Sequence, residues 1–373
     1  MKKRKLLIAL LCGALVCLPL AGCNNKNGAS GTDSSVQSEV SEDAGEQNSS
    51  DSSQEYTSDV FAMDTYMTLT AYGENAQEAV EAGIAEIQRL DDLLSTGKDT
   101  SEVAQINANG GGVLSEDTDY LVKRALDIYQ STNGAFDISI YPVMQLWGFT
   151  TGNFAVPSES DLAAKLALVD AGKIILSEEN GQTSISLPEG MEIDLGGIAK
   201  GYTSGRVMDV MKSYGIKSAV INLGGNAHVL GNKTDGSQWK VGIQDPEDEN
   251  GYLGGVSVTD KAIITSGGYE RYFVDEDTGV KYHHIIDPKT GYSANNGLIS
   301  VTIVSADGTL ADGLSTSLFV MGKEKAVAYW RAHSEEFDAI LVEKDGTVSV
   351  TENIADQFTP DDAVKKTEII TKQ

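Results

Sequence analysis

Residues 192–202 read EIDLGGIAKGY. Ile193 and Leu195 alternate as in a strand, Gly196 and Gly197 interrupt it, and a helical pattern then runs from about Ile198 to Tyr214, stopping at Gly215. Strand, glycines and helix start form the junction at which nucleotide-binding α/β sheets hold a phosphate. Neither familiar cradle fits. A Walker loop needs Gly-Lys-Ser/Thr, but here Lys200 precedes Gly201 and no hydroxyl follows at once; no G-x-G-x-x-G can be read either. What survives is a helix start with free N–H groups and Lys200 one turn in, open to an anion or to tight packing of strand on helix.

The flanking sequence decides the class. FAMDTYMTLTAYG (61–73) alternates around Met63, Tyr66 and Leu69 and predicts one strand ending at Gly73. Asn75 and Glu78 read as a capping pair for a helix through Val80, Ile84, Ile87, Leu90 and Leu94. Further helices are predicted over Ser115–Thr132, from near Ser158, from Asp312 through Met321, and around Ala326–Trp330. From Lys173 the texture turns to short apolar runs joined by glycine turns, ending in a hairpin at Asp345-Gly346. Helices and strands mix without regular alternation, so the expected fold is α+β, a single large domain with mainly antiparallel sheets and packed helices.

Three segments are expected. Residues 1–22 read as a secretory signal: Lys2, Lys3, Arg4 and Lys5, then an apolar run from Leu6 to Leu18. Leu20-Ala21-Gly22-Cys23 resembles the lipobox, in which cleavage before the cysteine leaves Cys23 to carry a lipid; an ordinary signal that ends near a cysteine is the alternative. Residues 23–55 are Ser, Asn, Gly, Asp and Glu with almost nothing to bury, and read as a flexible acidic tether. Residues 56–373 are ample for a large core. The expected location is the cell membrane, lipid-anchored on its extracytoplasmic face. The other two of the three cysteines would leave with the signal, so no disulfide and no thiolate nucleophile is expected. The net charge of −27 grows about four units more negative after cleavage, which argues against nucleic acid or anionic lipid as partner. An anionic ligand must then be held by a metal or by backbone N–H groups.

Three other stretches carry candidate chemistry. In ADGLSTSLFVMG (311–322), Asp312, Ser315 and Thr316 share one helix face. Asp312 can be that helix's N-cap, or the group can be a hard-cation site suited to Mg2+ holding a phosphate. YHHIIDPKTGYSA (282–294) holds His283 and His284, which on a strand point to opposite faces and do not chelate together. One of them can be a general base or a packed side chain. NGAFDISIYPVMQLWGF (133–149) sets Phe136 and Asp137 before Tyr141, Trp147 and Phe149, aromatics that form core or wall a flat ligand.

Taken in order, MDTYM, NGAFDISI, IDLGGIAKGY, NLGGN, TSGGYERYF, HIIDPKTG and ADGLSTSLFVMG resemble the ApbE family, the FAD:protein FMN transferases, many of them exported lipoproteins. The resemblance implies transfer of FMN from FAD to a Ser or Thr hydroxyl of an exported or membrane flavoprotein, with release of AMP and a requirement for Mg2+. It implies Asp312 and Thr316 as side-chain ligands of the metal, with oxygens from Gly197 and Ser315, expected as backbone carbonyls that glycine leaves open to close approach. Met63, Ala135, Phe136, Asp137, Asp194 and Lys200 would line the FAD site, with Ile286 touching it through its backbone. Asp312 and His284 carry the implied catalytic roles, His284 as base for the acceptor hydroxyl.

Departures are Asp64 for a glycine beside Met63, Gly97 where an aromatic commonly follows Ser-Thr, and Gly313 for alanine, the last expected to loosen its helix by about 1 kcal/mol. Two alternatives remain at this level: an FAD pyrophosphatase, with water replacing the acceptor, and a flavin-binding lipoprotein without chemistry.

Overall fold

A computed structural model of the chain describes residues 54–373. The expected signal peptide, Cys23 and nearly all of the expected tether lie outside the described residues. The strands are β1 (Glu55–Ala62), β2 (Thr65–Tyr72), β3 (Gly111–Val113), β4 (Ile175–Glu179), β5 (Gln182–Ser186), β6 (Ser218–Leu223), β7 (Asn226–Leu230), β8 (Trp239–Asp245), β9 (Asp248–Val258), β10 (Ala262–Gly267), β11 (Tyr272–Val274), β12 (Lys281–His283), β13 (Leu298–Ser305), β14 (Asp338–Glu343), β15 (Thr347–Thr351), β16 (Phe358–Pro360) and β17 (Lys366–Ile370). The helices are α1 (Ala76–Leu94), α2 (Glu102–Asn109), α3 (Glu116–Ser131), α4 (Tyr141–Trp147), α5 (Glu159–Leu166), α6 (Ala199–Ser213), α7 (Gly308–Met321) and α8 (Lys323–Ala332).

Nine strands form one sheet in the order β1-β2-β6-β7-β10-β13-β14-β15-β17, antiparallel throughout except for the parallel pair β15/β17. The α+β expectation with mainly antiparallel sheets therefore holds. Period-two alternation gives this sheet two buried faces. Ala262 and Ile264 of β10 pack with α3 and α7, while Ile263 between them packs with β8 and β9 of a small three-stranded sheet on the other side. Met67, Leu69, Ile221 and Leu223 meet α1 and α6. The helices thus cover one face and the small sheet covers the other.

Several local expectations are corrected. The stretch 61–73 is not one strand but the second half of a hairpin, β1 pairing with β2 from Glu55↔Tyr72 to Ala62↔Thr65. Its turn is Met63-Asp64, both at positive φ (48° and 58°), a conformation in which Asp is tolerated and Met is unusual. The Met63 N–H donates to Asp91 Oδ1 at 2.9 Å, and Lys98 pairs with Asp91, so α1 holds the turn. Asn75 stands at the α1 N-cap without a capping bond; its amide instead donates to the Tyr214 carbonyl at the end of α6. The helix predicted from Asp312 starts a full turn earlier, capped by Asp307, whose Oδ1 accepts from Leu310 N–H.

Glycines set the decisive helix crossing. A Cβ on Gly201 of α6 would lie 2.1 Å from the Gly308 carbonyl and 2.5 Å from Asp312 Cβ, so α6 and α7 touch backbone to backbone. Gly313 lies against Ile128 of α3, whose Cδ1 would stand 2.5 Å from an added Cβ.

Candidate active site

Since Asp307 caps α7, Asp312 is free for another partner. The α6 N-cap residue is Ile198, which has no side-chain acceptor, so the first N–H groups of α6 need a partner from elsewhere. Asp312 reaches across the crossing to supply it: the Gly201 N–H donates to Asp312 Oδ2 at 2.7 Å. Asn226, just after the β6–β7 turn at Gly224-Gly225, approaches Oδ1 with its amide at 3.4 Å. The carboxylate is 5% exposed, and burial pushes its pKa up to about 6 against the pull of Lys200 and the α6 amides. Asp312 is therefore not the N-cap of its own helix, as the sequence allowed; it serves the first turn of α6 instead.

Hydroxyls gather beside it. Ser266, at the end of β10, lies 2.8 Å from Ser315 Oγ and 3.3 Å from Thr316 Oγ1. Ser315 Oγ also donates to the Asp312 carbonyl at 2.8 Å. Ser315 stands inside α7 and brings its hydroxyl to this group. Gly197 precedes the first turn of α6, and its helical partner, the Gly201 N–H, is turned to Asp312, which leaves the Gly197 carbonyl outside the ladder. A Cβ on Gly197 would lie 2.9 Å from the Phe136 ring, so the glycine also makes room for that ring.

Among the described residues no cluster of three or more His, Cys, Asp or Glu could hold a metal. A cation here would meet one carboxylate and neutral oxygens, a donor set that fits Mg2+, which keeps several waters and takes phosphate oxygens.

His284 follows β12 and lies close enough to Lys200 to feel its charge. Its Nδ1 is 3.2 Å from the Arg271 carbonyl, which can only accept; the proton therefore sits on Nδ1 and the lone pair on Nε2. Burial and the charges of Arg271 and Lys200 push its pKa down to about 3, so the ring is a neutral acceptor at ordinary pH. His283 does the opposite work: its Nε2 binds the Ala294 carbonyl and its ring packs edge-on to Phe319.

Asp194 accepts from Gly196 N–H at 2.8 Å, and burial raises its pKa against the pull of Arg271. Glu270, which the sequence reading did not single out, is exposed at the rim and lies close enough to Lys200, Arg271 and Asp312 to feel their charges. Lys200, Glu270, Arg271, His284, Asp194 and Asp312 thus sense one another's charge across one site.

Other expected residues are placed less directly. Met63 reaches α6, with Thr203 Oγ1 3.8 Å from its sulfur. Ala135 and Phe136 are buried beside the α6 start. Asp137 faces inward: it accepts from Ser139 N–H, Ser139 Oγ and Ala171 N–H, so it braces the loop rather than facing solvent. Ile286 bridges Ser293 and packs in one core with Val143, Trp147 and Phe149. Trp147 and Phe149 belong to that core, which closes the ligand-wall reading for them. Gly97 donates its N–H to Ser95 Oγ in the turn after α1. Ser266, Asn226 and Glu270 were missed although TSGGYERYF and NLGGN were noted, because nothing in their spacing points at Asp312.

The sequence profile of the ApbE family matches residues 63–341. The chain belongs to the ApbE family. Among its relatives is an FAD:protein FMN transferase of Klebsiella pneumoniae, 36% identical over 281 residues, covering 74% of this chain and 86% of that protein. Another, from Treponema pallidum, is 32% identical over 329 residues, covering 81% and 88%. The crystal structure of the ApbE protein of Thermotoga maritima superposes with a TM-score of 0.75 at 32% identity over 82% of this chain and 99% of that one. The flavin transferase ApbE of Vibrio cholerae gives 0.69 at 28% identity over 82% and 96%. The expected single ApbE-like domain of mixed helices and sheets is thereby established, and the departures at Asp64, Gly97 and Gly313 fall within it.

Proposed function

We propose that this chain is an FAD:protein FMN transferase that moves FMN from FAD to a Ser or Thr hydroxyl of a target protein and releases AMP. The observation that carries the reading is the convergence, at one helix crossing, of Asp312, the Ser266/Ser315/Thr316 hydroxyls and Lys200, with a neutral His284 within range of the Lys200 charge. Family membership supports it, since the relatives bear that name.

The acceptor oxygen attacks the flavin-side phosphorus of the pyrophosphate, its proton passes to His284 Nε2, and the bond to the AMP oxygen breaks. Lys200 and Arg271 would offset the charge that builds on the leaving phosphate. Asp194 and the Phe136–Gly197 contact would shape the nucleotide side. Asp312, Thr316, the Gly197 carbonyl and an oxygen of Ser315 would hold Mg2+, which when bound neutralises the pyrophosphate. Lipidation at Cys23 would hold the enzyme on the extracytoplasmic face of the membrane, beside exported flavoproteins; a mass spectrum of the mature N-terminus tests it, and an unmodified Cys23 would refute it.

Full-length protein incubated with FAD, Mg2+ and a co-purified exported flavoprotein should give a covalent, fluorescent adduct on a hydroxyl residue. FMN and AMP released with no adduct would replace this reading by the pyrophosphatase. No turnover in either assay would leave a flavin-binding lipoprotein.

A further inference from the structure

His228 lies outside every motif read from the sequence and is buried beneath the helix crossing. It stands on β7, paired with Ala262 of β10, and is 6% exposed. Its Nδ1 is 2.9 Å from Ser204 Oγ on α6. Ser204 Oγ is also 2.8 Å from the Gly201 carbonyl, to which the hydroxyl donates; it then accepts from the imidazole Nδ1–H. The N–H of the same Gly201 donates to Asp312 Oδ2 at 2.7 Å. Imidazole, hydroxyl, glycine and carboxylate therefore form one continuous chain, with both polar groups of Gly201 engaged.

The chain passes through a point without slack. A Cβ on Gly308 would come within 2.6 Å of the Gly201 carbonyl and 2.7 Å of Ser204 Oγ. The first turn of α6 is thus held from below by Ser204, from the side by α7, and at its N–H by Asp312. His228 ties the remaining lone pair of Ser204 Oγ to the sheet.

We propose that His228 is a positioning residue for Asp312: through Ser204 and Gly201 it fixes the first turn of α6 over α7 and so fixes the carboxylate. The proposal rests on the catalytic reading of Asp312 above. A histidine that merely fills space can be replaced by another ring, whereas a positioning histidine needs a donor where Nδ1–H stood. Asn supplies such a donor and Phe does not.

The test uses full-length protein carrying His228→Phe, His228→Asn or Ser204→Ala. His228→Phe and Ser204→Ala should lower kcat about ten-fold, as outer-shell changes at such sites do, with KM for FAD changed by less than about two-fold. His228→Asn should recover most of kcat. Hydrogen exchange across residues 199–203, read by mass spectrometry, should quicken in the first two variants and match the wild type in His228→Asn.

Equal behaviour of His228→Phe and His228→Asn in both readouts would overturn the proposal, as would wild-type kcat and exchange in Ser204→Ala. If His228→Phe does not fold, the other two variants decide. If the wild type transfers no FMN, the functional reading fails, while the exchange data still report on His228.

Discussion

Replacing Asp312 with asparagine should abolish transfer and yet make the metal-free protein more stable. The carboxylate is 5% exposed and its pKa rises from 3.8 to about 6, because burial outweighs Lys200 and the amides of α6. A rise of that size means the ionised carboxylate costs the fold about 3 kcal/mol at pH 7. Asparagine keeps an oxygen for the Gly201 N–H and carries no charge, so it should recover most of that amount, raising Tm by about 2 °C or more per kcal/mol.

The pH dependence fixes the sign. A group whose folded pKa is raised contributes stability below its unfolded value, here 3.8, and loses it as pH rises through about 6. The gap between variant and wild type should therefore be widest at neutral pH and close near pH 3.8. Urea unfolding with chelator present, at several pH values, measures it. An Asn variant less stable than wild type at pH 7, or a gap independent of pH, would refute the reasoning, and retained transfer would remove Asp312 from the chemistry.

Gly201→Ala should cost roughly 1–3 kcal/mol and most activity, because its Cβ would meet the Gly308 backbone at 2.1 Å; Gly313→Ala should be nearly neutral by the same urea assay, since it meets the flexible end of Ile128. His284→Gln should lower kcat about 100-fold or more with little change in KM, and the wild-type rate should show no acid limb from His284 near 6.5, because the ring stays neutral down to about 3. Burial lowers the His228 pKa from 6.5 to about 4, so the unfolded chain binds the extra proton between those values. The stability of the wild type relative to His228→Asn should accordingly shrink by about 3 kcal/mol as pH falls from 6.5 to 4, read by urea unfolding.

Much of the fold was legible because its helices and hairpins carry local signals: the helices expected from Ser115 and near Ser158 are α3 and α5, with those serines as their caps, and Asp345-Gly346 turns the last hairpin. The β1–β2 turn escaped notice because Met63-Asp64 lacks the Gly or Asn that marks such turns, and α1 holds it from a distance. The start of α7 was misplaced because two aspartates, Asp307 and Asp312, stand five residues apart; only the tertiary crossing shows which caps which helix. The strand order, running from β2 to β6 and from β7 to β10, is set by long-range pairing that no local pattern records.

The site followed the same division. Ordered motifs pointed to Asp312, Lys200 and His284, whereas Ser266, Asn226, Glu270 and His228 gain meaning through what they touch. Asp137 shows the converse, since its motif was visible but its oxygens are spent inside the loop.

The central claim is covalent transfer to a hydroxyl, and intact-mass and peptide spectra of an exported flavoprotein co-expressed with this chain test it most directly. The account predicts a mass gain of one FMN less water on a single Ser or Thr with the wild type, and no gain with Asp312→Asn. An acceptor unmodified in the presence of the wild type, while FAD is still split to FMN and AMP, would contradict it.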